Sequence, residues 1–383
     1  MAPHAIDIVA GGPPPMDPYE PAAPAWALAE GLAIGGRSVR VLYASPSAAG
    51  HVPPPPGVAA VPVELRLRHT GSASDPANFA REAGARVRPE ADSILRDPVG
   101  LGPLGSPRRA GHPQLIGFVR SLGITEFDRG RTGPGSRGVA QRLDSWRERR
   151  TIRRLERAAI SEADRLLYDD PEVGAGLARE YSIPAERSLA VPRAVAHGPP
   201  PPTRAKAREA LGIPSDVPVV TMICSSEAPG PAGVDAAREA FQRIRPFFAG
   251  ARLVVAGSTV PVGPGVVSAP RRDIESFVRA LASADIALFT PRASGFDPGV
   301  VLALRQNVAA ITLPSVRFPF DPDHAVRALE SVDPGDFASA LAELLADPAQ
   351  RREQAARGRT YAARFEPARV IADLEHAGVL PTG

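Results

Sequence analysis

The sequence predicts an α/β protein of two lobes, each built on a parallel sheet. Three observations carry this. Residues 282–313 read as the end of an amphipathic helix, an apolar strand (286–290) and the turn Ser294-Gly295-Phe296-Asp297-Pro298-Gly299, followed by a helix and a second strand (309–313). Strand, glycine turn, helix, strand is a βαβ unit. A similar unit opens the chain: strand 5–10, an alanine-rich helix at 22–34 stopped by Gly35-Gly36, and the alternating strand 38–44. Between the halves, 193–203 holds Gly198 and the prolines Pro199, Pro200, Pro201 and Pro202, the composition of a linker. Parallel strands joined through helices give doubly wound, Rossmann-like lobes, and 383 residues suffice for two.

The remaining elements follow in order. Residues 46–57 are Pro/Gly/Ala-rich loop, and 58–67 read as a strand. From 70 to 138 the pattern is weak, with loops at 100–113 and 129–138. Helix 141–160 is rich in arginine, with Trp146, Ile152, Leu155 and Ala159 at helical spacing. Strand 163–168, helix 170–181 and the short strand 189–192 complete the first lobe. The second begins with helix 205–211 and continues with strand 217–224, helix 233–248, strand 251–256 and helix 273–283. After the 282–313 unit come helices at 334–346, 347–365 and 366–376.

Composition narrows the function. A hydrophobic share of 44% is that of a soluble globular protein, while 44 prolines and 35 glycines imply long loops. Lys206 is the only lysine, which reads as a compositional bias rather than a function. The net charge is +3 with both signs interspersed, which argues against nucleic-acid binding. The single cysteine, Cys224, excludes an internal disulfide and any cysteine-based metal cluster; inside an apolar run it reads as a buried thiol ahead of a nucleophile. Seven scattered histidines give no metal-ligand spacing, and neither a P-loop nor a Ser/His/Asp constellation is present, so no metal or cofactor is expected. No window approaches the roughly 20 apolar residues of a membrane span. The opening MAPHAIDIVAGG lacks the basic and apolar regions of a signal peptide, so a cytoplasmic protein is expected.

Several motifs resemble family-4 retaining glycosyltransferases. In that family an Ala-Asp pair, an apolar strand, a Glu-Gly-Phe-Gly turn and a helix with a second Glu hold a sugar nucleotide. Here Ala284-Asp285, the strand after it and Ser294-Gly295-Phe296-Asp297 stand in those places. GVDAAREAF from Gly233 to Phe241 is similar to the family's K-G-V-D-x-x-x-E-A-F. SEADRLLYDDPEVGAGLAREYSIPAERSLAVPRAV, from Ser161 to Val195, is similar to its ADxVIxxS…L…YGIPxxRVxVIPNGV. DSILRDP from Asp92 resembles the strand D-V-I-H-x-H-D-P, and GITEFDR from Gly123 resembles G-x-P-x-V-F-D-x-H, both without their histidines. The resemblance implies GT-B architecture, with two Rossmann-like lobes facing an interlobe cleft. It implies an acceptor-side lobe (1–192), a Pro-rich linker (193–204), a donor-side lobe (205–365) and a terminal helix (366–383) crossing back to the first lobe.

The resemblance also implies a reaction, the transfer of sugar from a nucleotide-sugar donor to an acceptor. A diphosphate leaving group gains negative charge as the glycosidic bond breaks, and fixed cations and helix-end amides stabilise it. The family uses an Arg, a Lys and the two Glu residues; here Ser225, Ala232, Ser294 and Leu302 stand at those positions, and Tyr19-Glu20 replaces a Gly-Gly pair. The donor-side candidates that remain are Ser225, Ser226 and Ser294 as hydrogen-bond donors, and Gly257, Gly295 and Phe296 from the conserved scaffold of the motif. Arg271 and Arg292 are the substitute cations, although an arginine in such a loop serves equally as a surface ion pair. Tyr19 is the acceptor-side candidate, or else a solvent-facing loop residue. The arginines of helix 141–160 either form a solvated face, with Glu148 and Glu156 as local partners, or rest on anionic lipid at the inner membrane face. Two functional readings follow: a diverged glycosyltransferase, and an inactive pseudo-glycosyltransferase that supports an active protein partner.

Overall fold

The computed structural model describes residues 3–12, 23–45, 53–64, 74–97, 103–105, 113–122, 139–223, 231–257, 263–269, 274–289, 296–312, 324–331 and 333–382. These divide into two compact units. The first holds the described residues up to Ala196 together with those from Pro367 onward; the second runs from His197 to Glu366.

The first unit carries seven strands: β1 (Ala5–Ala10), β2 (Ser38–Ser45), β3 (Val58–Glu64), β4 (Ser93–Asp97), β5 (Gln114–Val119), β6 (Arg165–Tyr168) and β7 (Ser188–Ala190). They pair in the order β3-β2-β1-β4-β5-β6-β7, each pair parallel. The helices are α1 (Ala23–Ile34), α2 (Ser74–Gly84), α3 (Val139–Glu162) and α4 (Pro171–Tyr181). The strands read as apolar runs because both faces of a parallel sheet are covered. The pleat divides β1 between two cores: Ile6, Ile8 and Ala10 pack on one side, with Trp26, Leu28 and Leu32 of α1, while Val9 packs on the other with Phe79 and Ala83 of α2. Helix α4 shows why it starts and stops where it does. Asp170 caps its first turn by accepting from the Glu172 N–H, Pro171 is its first residue, and Ser182 ends it in the left-handed conformation (φ 56).

Another helix of this unit comes from the far end of the chain. Helix α11 (Pro367–His376) lies against α1. The contact depends on Gly31, where a Cβ would stand 2.8 Å from Pro367 Cβ and 2.9 Å from Ile371 Cδ1. Val370, Ile371 and Leu374 join the core of the first sheet, and Arg37 pairs with Glu375.

The second unit has six strands: β8 (Val219–Ile223), β9 (Arg252–Ala256), β10 (Val266–Ala269), β11 (Ile286–Phe289), β12 (Ala309–Thr312) and β13 (Val326–Ala328). They run in the order β10-β9-β8-β11-β12-β13, again all parallel. Its helices are α5 (Arg204–Ala210), α6 (Pro231–Ile244), α7 (Ile274–Ser283), α8 (Pro298–Arg305), α9 (Pro334–Ala346) and α10 (Pro348–Ala362). Phe241 of α6 and Phe337 and Leu341 of α9 fill the core on one side of the sheet, against Met222, Val255, Leu288 and Ile311. Two α/β units with parallel sheets are the architecture the sequence predicts. Four elements go beyond that reading: helix α2 and strands β5, β10 and β13.

Candidate functional site

Ligands of open α/β sheets bind at the carboxyl ends of the strands. In the second unit that edge includes the end of β11 and the start of α8. All four residues of β11 are buried. The chain is described again from Phe296, and α8 starts at Pro298, with Asp297 as its cap. Asp297 is 4% exposed, and its carboxylate accepts from the Gly299 N–H at 2.8 Å. Pro298 has no N–H, so one of the first two amides of α8 is absent and the other is held by the protein's own carboxylate. The Gly299 amide at the start of α8 is thus already engaged. Phe296 packs on Phe365 with ring centroids 5.3 Å apart, and Phe365 meets Tyr361 edge-on at 5.2 Å. Gly257 follows β9 with φ 94, a conformation that favours glycine, and its N–H donates to the Ala269 carbonyl at 3.3 Å.

Leu302, at the position of the family's second Glu, is buried in α8 along with Val300, Val301, Ala303 and Leu304. From Gly299 to Leu304 this helix has no polar side chain. At its far end burial lowers the pKa of Arg305 to about 10, partly offset by the charge of Glu366. Candidates Tyr19, Ser225, Ser226, Arg271, Arg292, Ser294 and Gly295 lie outside the described residues, as does Cys224.

Asp285 acts at the opposite, amino edge of the sheet. Its carboxylate accepts from Arg204 Nη1 (3.0 Å), Arg208 Nη2 (2.9 Å) and the Val219 N–H (2.9 Å). Arg208 also donates to the carbonyls of Ser283, Ser215 and Val217. The Asp of the Ala-Asp motif therefore ties α5 to β8 and β11, which is a structural role.

The carboxyl edge of the first sheet holds a charge network that sequence reasoning missed. Asp97 ends β4, Arg120 follows β5, Asp169 follows β6 and Arg193 lies just beyond β7. Arg120 grips Asp97 with both arms of its fork (Nε–Oδ1 2.8 Å, Nη2–Oδ2 2.5 Å) and reaches Asp169 at 3.3 Å. Arg193 closes the chain on Asp169. The guanidinium of Arg120 also lies 4.7 Å from the centroid of the Phe118 ring. Burial alone would raise the Asp169 pKa, but Arg193 and Arg120 outweigh it and hold it below its ordinary value. Burial would lower that of Arg120, but Asp97 and Asp169 outweigh it and raise it. Among the described residues the cluster sets two cations against two anions, and the Asp side chains are 3% and 2% exposed beside the arginines. The cluster ties together four neighbouring strand ends. The signal in the sequence is a charged residue at or within three positions of the end of each of these strands.

Next to it Arg96, in the strand that resembles the family's histidine motif, is fully buried. It pairs with Glu162 at 2.9 Å and donates to the Ala159 carbonyl at 2.5 Å, holding the end of α3. Glu162 also accepts from the Leu104 and Gly105 N–H groups. On α3 itself, Glu156 is buried and accepts from the Tyr181 hydroxyl. Burial and that bond raise the Tyr181 pKa. Among the described residues no group of His, Cys, Asp or Glu could hold a metal ion, and no helix is long and apolar enough to cross a membrane.

No protein-family model matches the chain, and no curated protein matches it by sequence. Solved structures do match its fold. Sucrose-phosphate synthase from Thermosynechococcus elongatus is similar with a TM-score of 0.70 at 18% identity, over 97% of this chain and 98% of that one. WaaG, a glycosyltransferase involved in lipopolysaccharide biosynthesis, gives 0.70 at 16% identity, over 99% and 100%. Anabaena HepE in complex with UDP-glucose gives 0.68 at 12% identity, over 98% and 100%. Two parallel-sheet units, matched over nearly the full length by such structures, give this chain the GT-B fold of glycosyltransferases.

Proposed function

We propose that the chain is a glycosyltransferase-like protein of the family-4 type that binds a nucleotide sugar at the carboxyl edge of its second sheet. The observation that carries this is full-length likeness to glycosyltransferases, among them HepE in complex with UDP and with UDP-glucose, joined to the strand-turn-helix of β11 and α8. In this reading Arg271 and Arg292 neutralise the diphosphate. Ser225, Ser226 and Ser294 donate hydrogen bonds, Gly257 and Gly295 permit close backbone approach, and Phe296 is fixed by Phe365. The first unit takes the acceptor, with Tyr19 beside it. The protein is cytoplasmic, with the exposed Arg150, Arg154 and Arg157 of α3 facing solvent or an anionic membrane.

A second reading has its own support. Leu302 is a core residue, the Gly299 amide is capped by Asp297, and Ser225 and Ala232 stand at the family's two cation positions. Each missing transition-state donor costs roughly 3–4 kcal/mol. Several together favour a pseudo-glycosyltransferase that binds its nucleotide without turnover and supports an active partner. Incubation with a panel of nucleotide sugars separates the two. Release of nucleoside diphosphate, lost in Arg292→Ala, identifies an enzyme; an intact donor throughout leaves the pseudoenzyme.

A further inference from the structure

We propose that the second unit carries a phosphate-binding pocket at the amino edge of its sheet, apart from the donor edge. Helix α6 runs into a 3-10 turn, Arg245–Phe247, and after Gly250 the chain enters β9 at Arg252. Gln242, Arg245, Pro246, Gly250 and Arg252 line a cavity of about 260 Å³ there. Open α/β sheets take their substrates at the other edge, so the proposed nucleotide-sugar site does not account for it.

The pocket is lined by two cations. Arg252 Nη1 donates to the Gly250 carbonyl at 2.6 Å and to that of Ala251 at 3.3 Å, which sets the direction of its fork. Arg245 lies along Gly265, which has φ 76; a Cβ there would stand 3.2 Å from Arg245 Nε and 3.5 Å from Cδ. Glycine at 265 thus leaves the guanidinium room to lie in the cavity wall. No carboxylate lines the cavity, and among the described residues neither arginine is paired with one. Arg243, on the same helix, shows the contrast: it pairs with Glu239 at 2.6 Å. Guanidinium forks without a counter-charge match the geometry of a phosphoryl group. The volume is below the roughly 300–1,000 Å³ of pockets for drug-sized ligands, so it fits inorganic phosphate or a phosphomonoester head better than a nucleotide sugar. Phe247, 82% exposed, belongs to the same turn. The phosphate can therefore come from a soluble ester or from a lipid headgroup, with Phe247 entering the bilayer interface.

Calorimetric titration of the full chain with inorganic phosphate tests this. Wild type binds saturably, and Arg245→Gln and Arg252→Gln each weaken binding by about tenfold or more, as loss of a hydrogen bond to a charged group implies. Arg243→Gln leaves binding unchanged, and thermal melts report whether each variant is folded. Sedimentation with phosphatidylcholine vesicles containing phosphatidic acid identifies the source. Co-sedimentation lost in Phe247→Ser assigns the pocket to lipid; phosphate binding without co-sedimentation assigns it to a soluble ester. Failure of wild type to bind phosphate, an unchanged Arg245→Gln, or equal weakening in Arg243→Gln overturns the proposal.

Discussion

Asp285→Ala should be among the most destabilising single changes in the second unit. The carboxylate serves three donors, and they are not equal. Arg204 is half exposed, so its pair contributes at most about 1 kcal/mol. Arg208 is different: its side chain is 5% exposed and that of Asp285 11%. Removing the acid leaves a buried guanidinium with carbonyl partners only, and takes the partner from the Val219 N–H as well. Breaking a buried pair from one side costs about 3–5 kcal/mol. For a unit of this size each kcal/mol moves the midpoint by roughly 2–4 °C, so the expected fall is roughly 6–20 °C. Asp285→Asn, which keeps an acceptor for Val219, should fall between wild type and Asp285→Ala. Arg204→Ala should cost no more than about 1 kcal/mol. Urea denaturation of the full chain, followed by circular dichroism, measures all three. The double variant Arg208→Met/Asp285→Leu should recover much of the loss, because replacing both partners strands no charge. An Asp285→Ala variant that costs no more than Arg204→Ala would show that the buried pair with Arg208 does not hold the unit together.

Two further changes probe the first unit. At Gly84 an added Cβ would stand 2.3 Å from the Leu104 carbonyl oxygen, a backbone atom that cannot swing away. Gly84→Ala should therefore cost at least the 1–3 kcal/mol typical of overpacking, about as much as a buried cavity, while Gly36→Ala, with open space around it but φ 80, should cost only its backbone strain; equal urea midpoints for Gly84→Ala and wild type would contradict the packing. The Asp169 carboxyl, held below its ordinary 3.8 against the effect of burial by Arg193 and Arg120, contributes stability that is complete above that value and is lost as pH falls through the lower folded one. Between pH 5 and pH 2 the wild type should lose more stability than Asp169→Asn, and parallel pH profiles would remove the network from the acid response.

The sequence carried the alternation of strand and helix clearly, because apolar strands and amphipathic helices keep their local period. Strands β10 and β13 escaped it for a physical reason. They are the two outer strands of the second sheet, VVSA and VRA, too short to show a pattern. Strand β5 is central and apolar, but it follows a Gly- and Pro-rich stretch whose composition reads as loop. The polar anatomy was less legible. Asp97, Arg120, Asp169 and Arg193 are far apart in the chain and meet only because β4, β5, β6 and β7 lie side by side. The Ala-Asp motif was visible, but its purpose was not: Arg208, the partner that explains Asp285, is 77 residues away. Leu302 shows the converse, a site position by resemblance and a core position in the fold.

On the proposed function, this GT-B body still holds a nucleoside diphosphate. Calorimetric titration of the full chain with UDP, UDP-glucose and the other common nucleoside diphosphates tests it most directly. Saturable micromolar binding of at least one of them, weakened in Arg292→Ala, is expected. Silence across the whole panel, with the protein folded, would contradict it.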